Sequence, residues 1–398
     1  MPLSGRKITV LGAGIAGLAV SIALARRGAD VVVLEQAEAI REVGAGLQIS
    51  PNGATVLRAL GLGSELSDIG VRGREVMLRD YRHGAEVVRI DLSAHGANYF
   101  FIHRADLVEM LAKAARDAGV QIRLLQRIEA LDFDGDRVHL TTAQGAEVAA
   151  GLLIGADGLH SVVRAALNGA ARPAFTGQVA WRALVPASGP VAPVAHVHMG
   201  PGRHLVRYPL RGGMLINIVA VEERSVWTEE GWNRPGDPDE LRAAFRDFGG
   251  RVPELLAQVE QVNFWGLFRH PVAPVWHNRS AAILGDAAHP TLPFLAQGAN
   301  MALEDAWVLA GTLERHRDAE AAFAAYQAER RPRTVRIVDA ATRNARNYHL
   351  RSPVLRAAAH TALRLGGALA PGAALSRFDW VYEHDVAARY PLSAAPKT

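Results

Sequence analysis

Between Lys7 and Glu35 the sequence runs apolar strand, glycine-rich turn, apolar helix, apolar strand and acid with no residue to spare. Residues 7–11 read as a short buried strand and are followed at once by Gly12-Ala13-Gly14-Ile15-Ala16-Gly17. A helical pattern over 18–27 ends at Gly28 as a C-cap, and 30–34 is a second buried strand with Glu35 at its C-terminal end. This is a complete βαβ unit, which commits the chain to a parallel sheet with helices packed on it. The spacing Gly12-x-Gly14-x-x-Gly17 permits a tight turn, close approach of backbone to a pyrophosphate, and close helix–strand packing. The helix N-terminus adds N–H donors and the positive end of a dipole. Glu35 lies 18 residues beyond Gly17, where an acid can accept from a ribose hydroxyl. The unit therefore points to dinucleotide binding; a glycine-rich turn in some other α/β fold is the plainer alternative.

Two further buried strands run into acids. Residues 152–154 lead to Gly155-Ala156-Asp157-Gly158, and 281–284 lead to Gly285-Asp286-Ala287-Ala288-His289. Each carboxylate sits where an open α/β sheet presents ligands, although either acid alone can be a turn residue. Residues 43–52 are rich in glycine and small side chains, as suits a loop that something planar approaches closely. Residues 53–60 and 105–118 read as helices, and 75–78 and 86–90 as strands joined through His83-Gly84. A strand-rich stretch covers about 173–267, within which 203–209 and 214–221 flank Gly212-Gly213 as a hairpin. Helical patterns follow at 301–313, 319–331 and 332–346, then an Ala-rich tail over 351–398 with Phe378, Trp380 and Tyr382.

Composition narrows the chemistry. The 398 residues contain no Cys, which excludes disulfides, thiolate catalysis and cysteine-ligated zinc or iron–sulfur clusters. Lys+Arg 44 against Asp+Glu 40 is not the balance of a nucleic-acid binder. The longest uncharged stretch, 183–202, holds four Pro and cannot be a spanning helix. With no leader pattern before Ile8, a soluble cytoplasmic protein is expected. His196 and His198 alternate on a strand without a carboxylate nearby in sequence, so no metal site is expected.

In this order and at these spacings the three motifs make the chain resemble the class A flavoprotein monooxygenases, the aromatic hydroxylase group of p-hydroxybenzoate and salicylate hydroxylases. The resemblance covers nearly the whole chain. It includes His103-Arg104-Ala105-Asp106-Leu107, the run from Gln297 through Gly298-Ala299-Asn300-Met301 to Glu304-Asp305-Ala306, and the Arg-Arg-Pro-Arg run at 330–333. It implies an α/β fold: a discontinuous, Rossmann-like FAD-binding domain (1–72, 100–172 and 268–340) interleaved with a mixed β-sheet substrate domain (73–99 and 173–267). A C-terminal helical region (341–398) follows.

The resemblance also implies non-covalent FAD, NADH or NADPH as co-substrate, O2, a small aromatic substrate and, at the family level, a homodimer. The implied activity is hydroxylation of a phenolic or N-heteroaromatic ring through a flavin C4a-hydroperoxide. By analogy Gly12, Gly14, Ala16, Gly17 and Glu35 hold the ADP half of FAD. Arg104 reaches the phosphate and ribose region, and Asp286 binds the ribityl–pyrophosphate portion. Gly298, Ala299, Asn300 and Met301 open a helix aimed at the flavin pyrimidine. Asp157 acts near FAD and the pyridine nucleotide, or is a turn residue. Arg41 and Gly46 flank the loop beside the cofactor, with a solvated Arg41 as the alternative. His289 reads as a hydrogen-bonded structural histidine. Only one dinucleotide fingerprint is present, which fits a nicotinamide that docks without a domain of its own.

On a strand, His204, Val206 and Tyr208 share one face. The His-x-x-x-Tyr spacing resembles that of 3-hydroxybenzoate 6-hydroxylase and 6-hydroxynicotinate 3-monooxygenase. It makes His204 the candidate base for a ring hydroxyl and Tyr208 its orienting partner, with Gln48 also facing substrate. A surface histidine beside a packed tyrosine is the alternative. Pro293 and Phe294 stand where several related hydroxylases carry a polar Gln or His, which leaves room for a bulkier quinolone, polyketide or antibiotic-like substrate. A non-catalytic FAD-binding regulatory protein is a third reading, and Arg182 stays unassigned.

Overall fold

Five short strands form the parallel sheet that the first motif demands, in the order Ala281–Ile283, Leu153–Gly155, Lys7–Leu11, Asp30–Leu34 and Gln121–Arg123. They belong to a computed structural model that describes residues 3–40, 45–93, 98–170, 172–226, 228, 230, 234–370, 372 and 376–392. The inner strands are rich in Val, Ile and Leu because both faces of the sheet are covered. The helix Ile15–Ala25 is apolar nearly all round, since it is wedged between the sheet and the helix Gly298–Arg315. Leu18, Ala19, Val20, Ile22, Ala23 and Leu24 are fully buried there.

The register of this sheet places the three motifs together. Leu11 stands beside Gly155, and Gly155 beside Ile283, so three turns distant in sequence leave neighbouring strand ends on the same edge. In open α/β sheets that edge is where ligands bind.

A second sheet has eight strands. Their order is Pro235–Gly236, Val262–Arg269, Ala174–Pro186, Leu215–Glu223, Arg203–Leu210, Val194–Gly200, Glu75–Asp80 and Glu86–Asp91. All neighbours are antiparallel except Val194–Gly200 with Glu75–Asp80. The hairpin expected around Gly212-Gly213 is present, with His204 opposite Val221 and Tyr208 opposite Asn217. One face of the sheet buries Trp181, Leu205 and Ile218 under Phe245, Phe248 and Leu256. The other face carries Ala180, Val221, Trp265 and Leu267, which pack against Leu292 and Phe294 from the loop after the third motif.

Two helices expected over 319–331 and 332–346 are a single helix, Ala319–Tyr348, with Pro332 inside it. Proline removes one backbone donor and normally breaks a helix. Here Arg330 and Arg333, on either side of Pro332, are anchored in the carboxylates of Glu304 and Asp305, so tertiary ion pairs tie down both flanks of the proline within one continuous helix. The Ala-rich tail forms the helix Pro353–Leu369 behind a Ser352 cap. The aromatic cluster then turns back through Asp379–Tyr382, bringing Tyr382 to 6.1 Å from Tyr99. Among the described residues no helix is long and apolar enough to cross a membrane.

Candidate active site

At the shared strand edge, two of the three glycines of the first motif are there because nothing else fits. A Cβ on Gly12, whose φ is +101°, would lie 2.5 Å from the Ala156 carbonyl oxygen, and one on Gly17 would lie 1.9 Å from the Gly12 carbonyl oxygen. Gly14 differs: a Cβ there would meet nothing within 4 Å. The helix that starts beside it has no capping side chain and no acid in its first turn. Its leading N–H groups are therefore left for an anion. Glu35 rims the turn, its carboxylate accepting from the N–H groups of Ala13 at 2.7 Å and Ala37 at 2.8 Å.

The third motif closes the same cleft. A Cβ on Gly285 would press within 3.0 Å of Ala16 and 3.4 Å of Ala302, so Asp286 is set between the starts of two helices. Its carboxyl is exposed, yet it lies deep in the cleft. Desolvation pushes its pKa up, against the pull of His289, Arg104 and His270. Arg104 opens the helix Arg104–Asp117, its N–H bonded to the Ala45 carbonyl beside Gly46. An open glycine, helix N–H donors left uncapped, and carboxylates that can accept from hydroxyl groups are the features that a dinucleotide such as FAD requires.

Other residues singled out by sequence have their side chains engaged within the protein. Asp157 Oδ2 accepts from Val162 and Val163 N–H at 2.8 and 3.4 Å, holding the start of the helix Val162–Asn168, while Oδ1 is buried without a partner. Burial raises the pKa of this carboxyl. Asn300 Nδ2 donates to the Gln48 and Ala296 carbonyls, and its Oδ1 accepts from Ser50 N–H. Met301 is fully buried and its N–H bonds Gln297. Gly298 and Ala299 are half-buried at the helix start. Arg41 lies outside the described residues.

The Glu-Asp and Arg-Arg-Pro-Arg runs answer each other. Glu304, Asp305 and Arg330 are wholly buried, with Arg330 at 2.6 Å from Glu304 and 2.7 Å from Asp305. Arg333 bonds Glu304 through two nitrogens, and His289 bonds Asp305. Burial alone would raise the pKa of Asp305, but His289 and Arg330 hold it down to about 2. Glu304 is likewise held down to about 2, Arg330 and Arg333 outweighing its burial. This cluster locks the helix Gly298–Arg315 onto Ala319–Tyr348 behind the cleft.

The second sheet brings the other half of the site. His204 and Tyr208 are both buried on the face that looks toward the loop at 292–294, while Leu205 lies on the opposite face. The His204 ring is 5.7 Å from Phe294, 5.3 Å from Tyr348 and 4.9 Å from His349. Pro293 is half-buried beside buried Phe294. Tyr208 stacks at 5.1 Å on Phe101. Burial raises its pKa, while Arg182 and a bond to Gln48 pull it down. Burial and His349 lower His204 well below the usual histidine value, so its imidazole is neutral at pH 7.

The strand Gly46–Ile49 joins the halves. Gly46 N–H donates to Asn217 Oδ1 at 2.8 Å, and a Cβ there would come 2.7 Å from both Tyr208 and Asn217. Gln48 accepts from Tyr99 Oη at 2.7 Å, and its carbonyl is bonded by Asn300.

Sequence reasoning did not find Asn217, Tyr99, Glu223 or His349. Asn217 could have been found as the one polar residue in the apolar run 215–221, at the position across the hairpin from Tyr208. Arg182 lies on the same face, diagonal to Tyr208 across the sheet and 5.5 Å over the Trp265 ring. His349 carries no local signal, since it follows a helix that ends far from His204 in sequence.

Comparison with known proteins agrees with this geometry. A family model described as an FAD binding domain matches residues 6–341. The chain is 39% identical over 355 residues to a 3-amino-4-hydroxybenzoate 2-monooxygenase of Streptomyces cremeus, covering 86% of this chain and 88% of that one. It is 36% identical to a 3-hydroxybenzoate 6-hydroxylase of Klebsiella oxytoca, covering 85% and 88%. The fold superposes on the crystal structure of Klebsiella pneumoniae HpxO complexed with FAD and uric acid, with a TM-score of 0.81, 28% identity, and 92% and 95% coverage.

Proposed function

We propose, from the premise that this chain belongs to the flavin-dependent monooxygenases built on this FAD-binding domain, that it hydroxylates a small phenolic or N-heteroaromatic acid with NAD(P)H and O2. The observation that carries the reading is the pair His204 and Tyr208, buried together on the sheet face that looks onto Phe294. Gly12, Gly14, Gly17, Glu35, Arg104 and Asp286 would hold FAD, with the helix from Gly298 directed at the flavin ring. When bound, FAD supplies the hydride acceptance and oxygen activation that no side chain here can provide.

The protein's own part is to orient, desolvate and ionise the ring. His204 is neutral because it is buried, so its free ring nitrogen accepts the proton of a ring hydroxyl. Loss of that proton makes the ring carbon electron-rich. Tyr208, backed by Gln48, hydrogen-bonds a second polar substituent. Phe294, Val219, Val221 and Trp265 supply apolar surface that excludes water. Arg182 places positive charge on the same wall, which suits a carboxylate. The named relatives act on aminohydroxybenzoate and hydroxybenzoate, acids of this shape. Cytoplasmic location and a homodimer complete the reading.

The test is oxidation of NADH and NADPH by the yellow holoprotein, with and without hydroxybenzoates, aminohydroxybenzoates, hydroxypyridines and quinolones, followed by product identification. Stimulation with an oxygenated acid product is expected. His204→Ala should slow hydroxylation and leave the FAD absorption spectrum intact; loss of FAD in that variant refutes the role given to His204.

A further inference from the structure

His204 is not an isolated imidazole. Its Nδ1 lies 2.7 Å from Nε2 of His349, and Nδ1 of His349 lies 3.1 Å from Oε1 of Glu223. Glu223 Oε2 is held by Arg351 through Nη2 at 2.6 Å and Nε at 2.9 Å. Both histidines are buried, whereas the Glu223 side chain is 30% exposed and that of Arg351 73%. The chain thus runs from the buried sheet face to solvent through the first residue beyond the helix Ala319–Tyr348. The other groups facing the pair are Tyr348, whose ring is 5.3 Å from His204, and Gln178, whose Nε2 is 3.4 Å from His349 Nδ1.

We propose that His349 and Glu223 form with His204 a proton relay that fixes the tautomer of His204 and carries the proton of the substrate hydroxyl to the protein edge. The inference rests on the reading of His204 as the base. The Glu223 carboxylate, paired with Arg351 on one oxygen, can only accept from His349 on the other. The nearer partner of His349 Nδ1 is Glu223 Oε1, at 3.1 Å against 3.4 Å for the Gln178 amide, so Nδ1 carries the proton, the Gln178 amide turns its oxygen toward it, and Nε2 is bare. His204 must then donate from Nδ1, which leaves its Nε2 lone pair for the substrate. When the ring O–H breaks, an N–H forms at His204 Nε2. The Nδ1 proton of His204 passes to His349 Nε2, and the Nδ1 proton of His349 passes to Glu223 Oε1. Protons balance, no electrons move, and the negative charge travels from Glu223 to the ring oxygen.

The relay answers a difficulty that burial creates. An imidazolium at His204 would be desolvated and close to a second histidine, and both effects weaken it as a base. Passing the charge outward means that no buried imidazolium has to persist. His349 and Glu223 are thus positioning and relaying residues; neither is required to touch the ring.

The experiment uses the oxidised holoenzyme with 3-hydroxybenzoate or 3-amino-4-hydroxybenzoate and no reductant. Ionisation of the bound phenol is followed by ultraviolet difference spectra across pH in wild type, His349→Gln, Glu223→Gln and His204→Ala. His349→Gln keeps a hydrogen-bond acceptor for His204 but cannot pass a proton. The expected result is that both relay variants move bound-phenol ionisation up by about one pH unit, roughly tenfold in the equilibrium. Their FAD spectrum and thermal midpoint should stay unchanged. If His204→Ala moves the ionisation and the relay variants do not, the relay is overturned and the base survives. If His204→Ala also has no effect, the reading of His204 falls with it. Independently of any ligand, the ¹⁵N shifts of the imidazoles in the free holoenzyme should report Nδ1–H on both histidines; Nε2–H on His349 overturns the relay.

Discussion

Gly14 and Gly17 stand three residues apart in the same turn, yet the structure gives alanine at each a different fate. At Gly17 the new Cβ would lie 1.9 Å from a backbone carbonyl, so the turn and the helix must separate by more than 1 Å. Neither side is a flexible side chain that could yield. Overpacking of this kind costs about 3 kcal/mol, offset by about 1 kcal/mol for replacing glycine inside a helix. A net loss of about 2 kcal/mol lowers the melting temperature of a chain this long by ~2–3 °C if it unfolds cooperatively. At Gly14 the Cβ meets no protein atom, and φ of −77° suits any residue. The apoprotein should therefore change by less than about 0.5 kcal/mol. The space that the methyl enters is that assigned to the pyrophosphate, so FAD should bind about 1.4–2.8 kcal/mol more weakly, ten- to a hundredfold in Kd. Thermal melts of flavin-free protein and fluorescence titration with FAD separate the two terms. The reasoning is refuted if Gly14→Ala binds FAD like wild type, or if it lowers the apoprotein melting temperature as much as Gly17→Ala.

Three further outcomes are expected. Arg330→Met should cost about 3 kcal/mol in denaturant unfolding, the low end for breaking a buried pair, because Arg333 still pairs Glu304 and His289 still bonds Asp305. Glu304 and Asp305 are held near 2 in the folded protein, against ordinary values of 4.5 and 3.8. Their contribution to stability is therefore present above pH ~4.5 and is lost as pH falls toward about 2, and acid unfolding of Arg330→Met should begin at higher pH than in wild type. Tyr208→Phe should weaken substrate binding about fivefold with little change in the FAD spectrum, the worth of one buried hydrogen bond; an unchanged KM would place Tyr208 outside the substrate contact.

The first sheet was legible because its signals are local. A strand, a turn whose glycines answer steric limits within a few residues, and a helix carry their fold in consecutive positions, and so does the period-two pattern that puts His204 and Tyr208 on one face. Pro332 was misread as a helix boundary for the same reason: locally proline breaks a helix, and only the distant Glu304 and Asp305 override it. Asp157 and Asn300 were legible as turn and helix-start residues, but not that their side chains would be engaged by Val162 and Val163 or by Ser50 and Gln48.

By itself the sequence determined the dinucleotide cradle, the family resemblance and the shared face of His204 and Tyr208, because each depends on backbone geometry repeated over a few residues. Tertiary structure alone decided what meets at the site. Parallel register brought the turns after Leu11, Gly155 and Ile283 to one edge. A hairpin set Asn217 across from Tyr208, and the end of a thirty-residue helix delivered His349 to His204. These meetings are set by which strands pair and where helices end when the apolar faces are buried, and no spacing along the chain encodes a distance across the core.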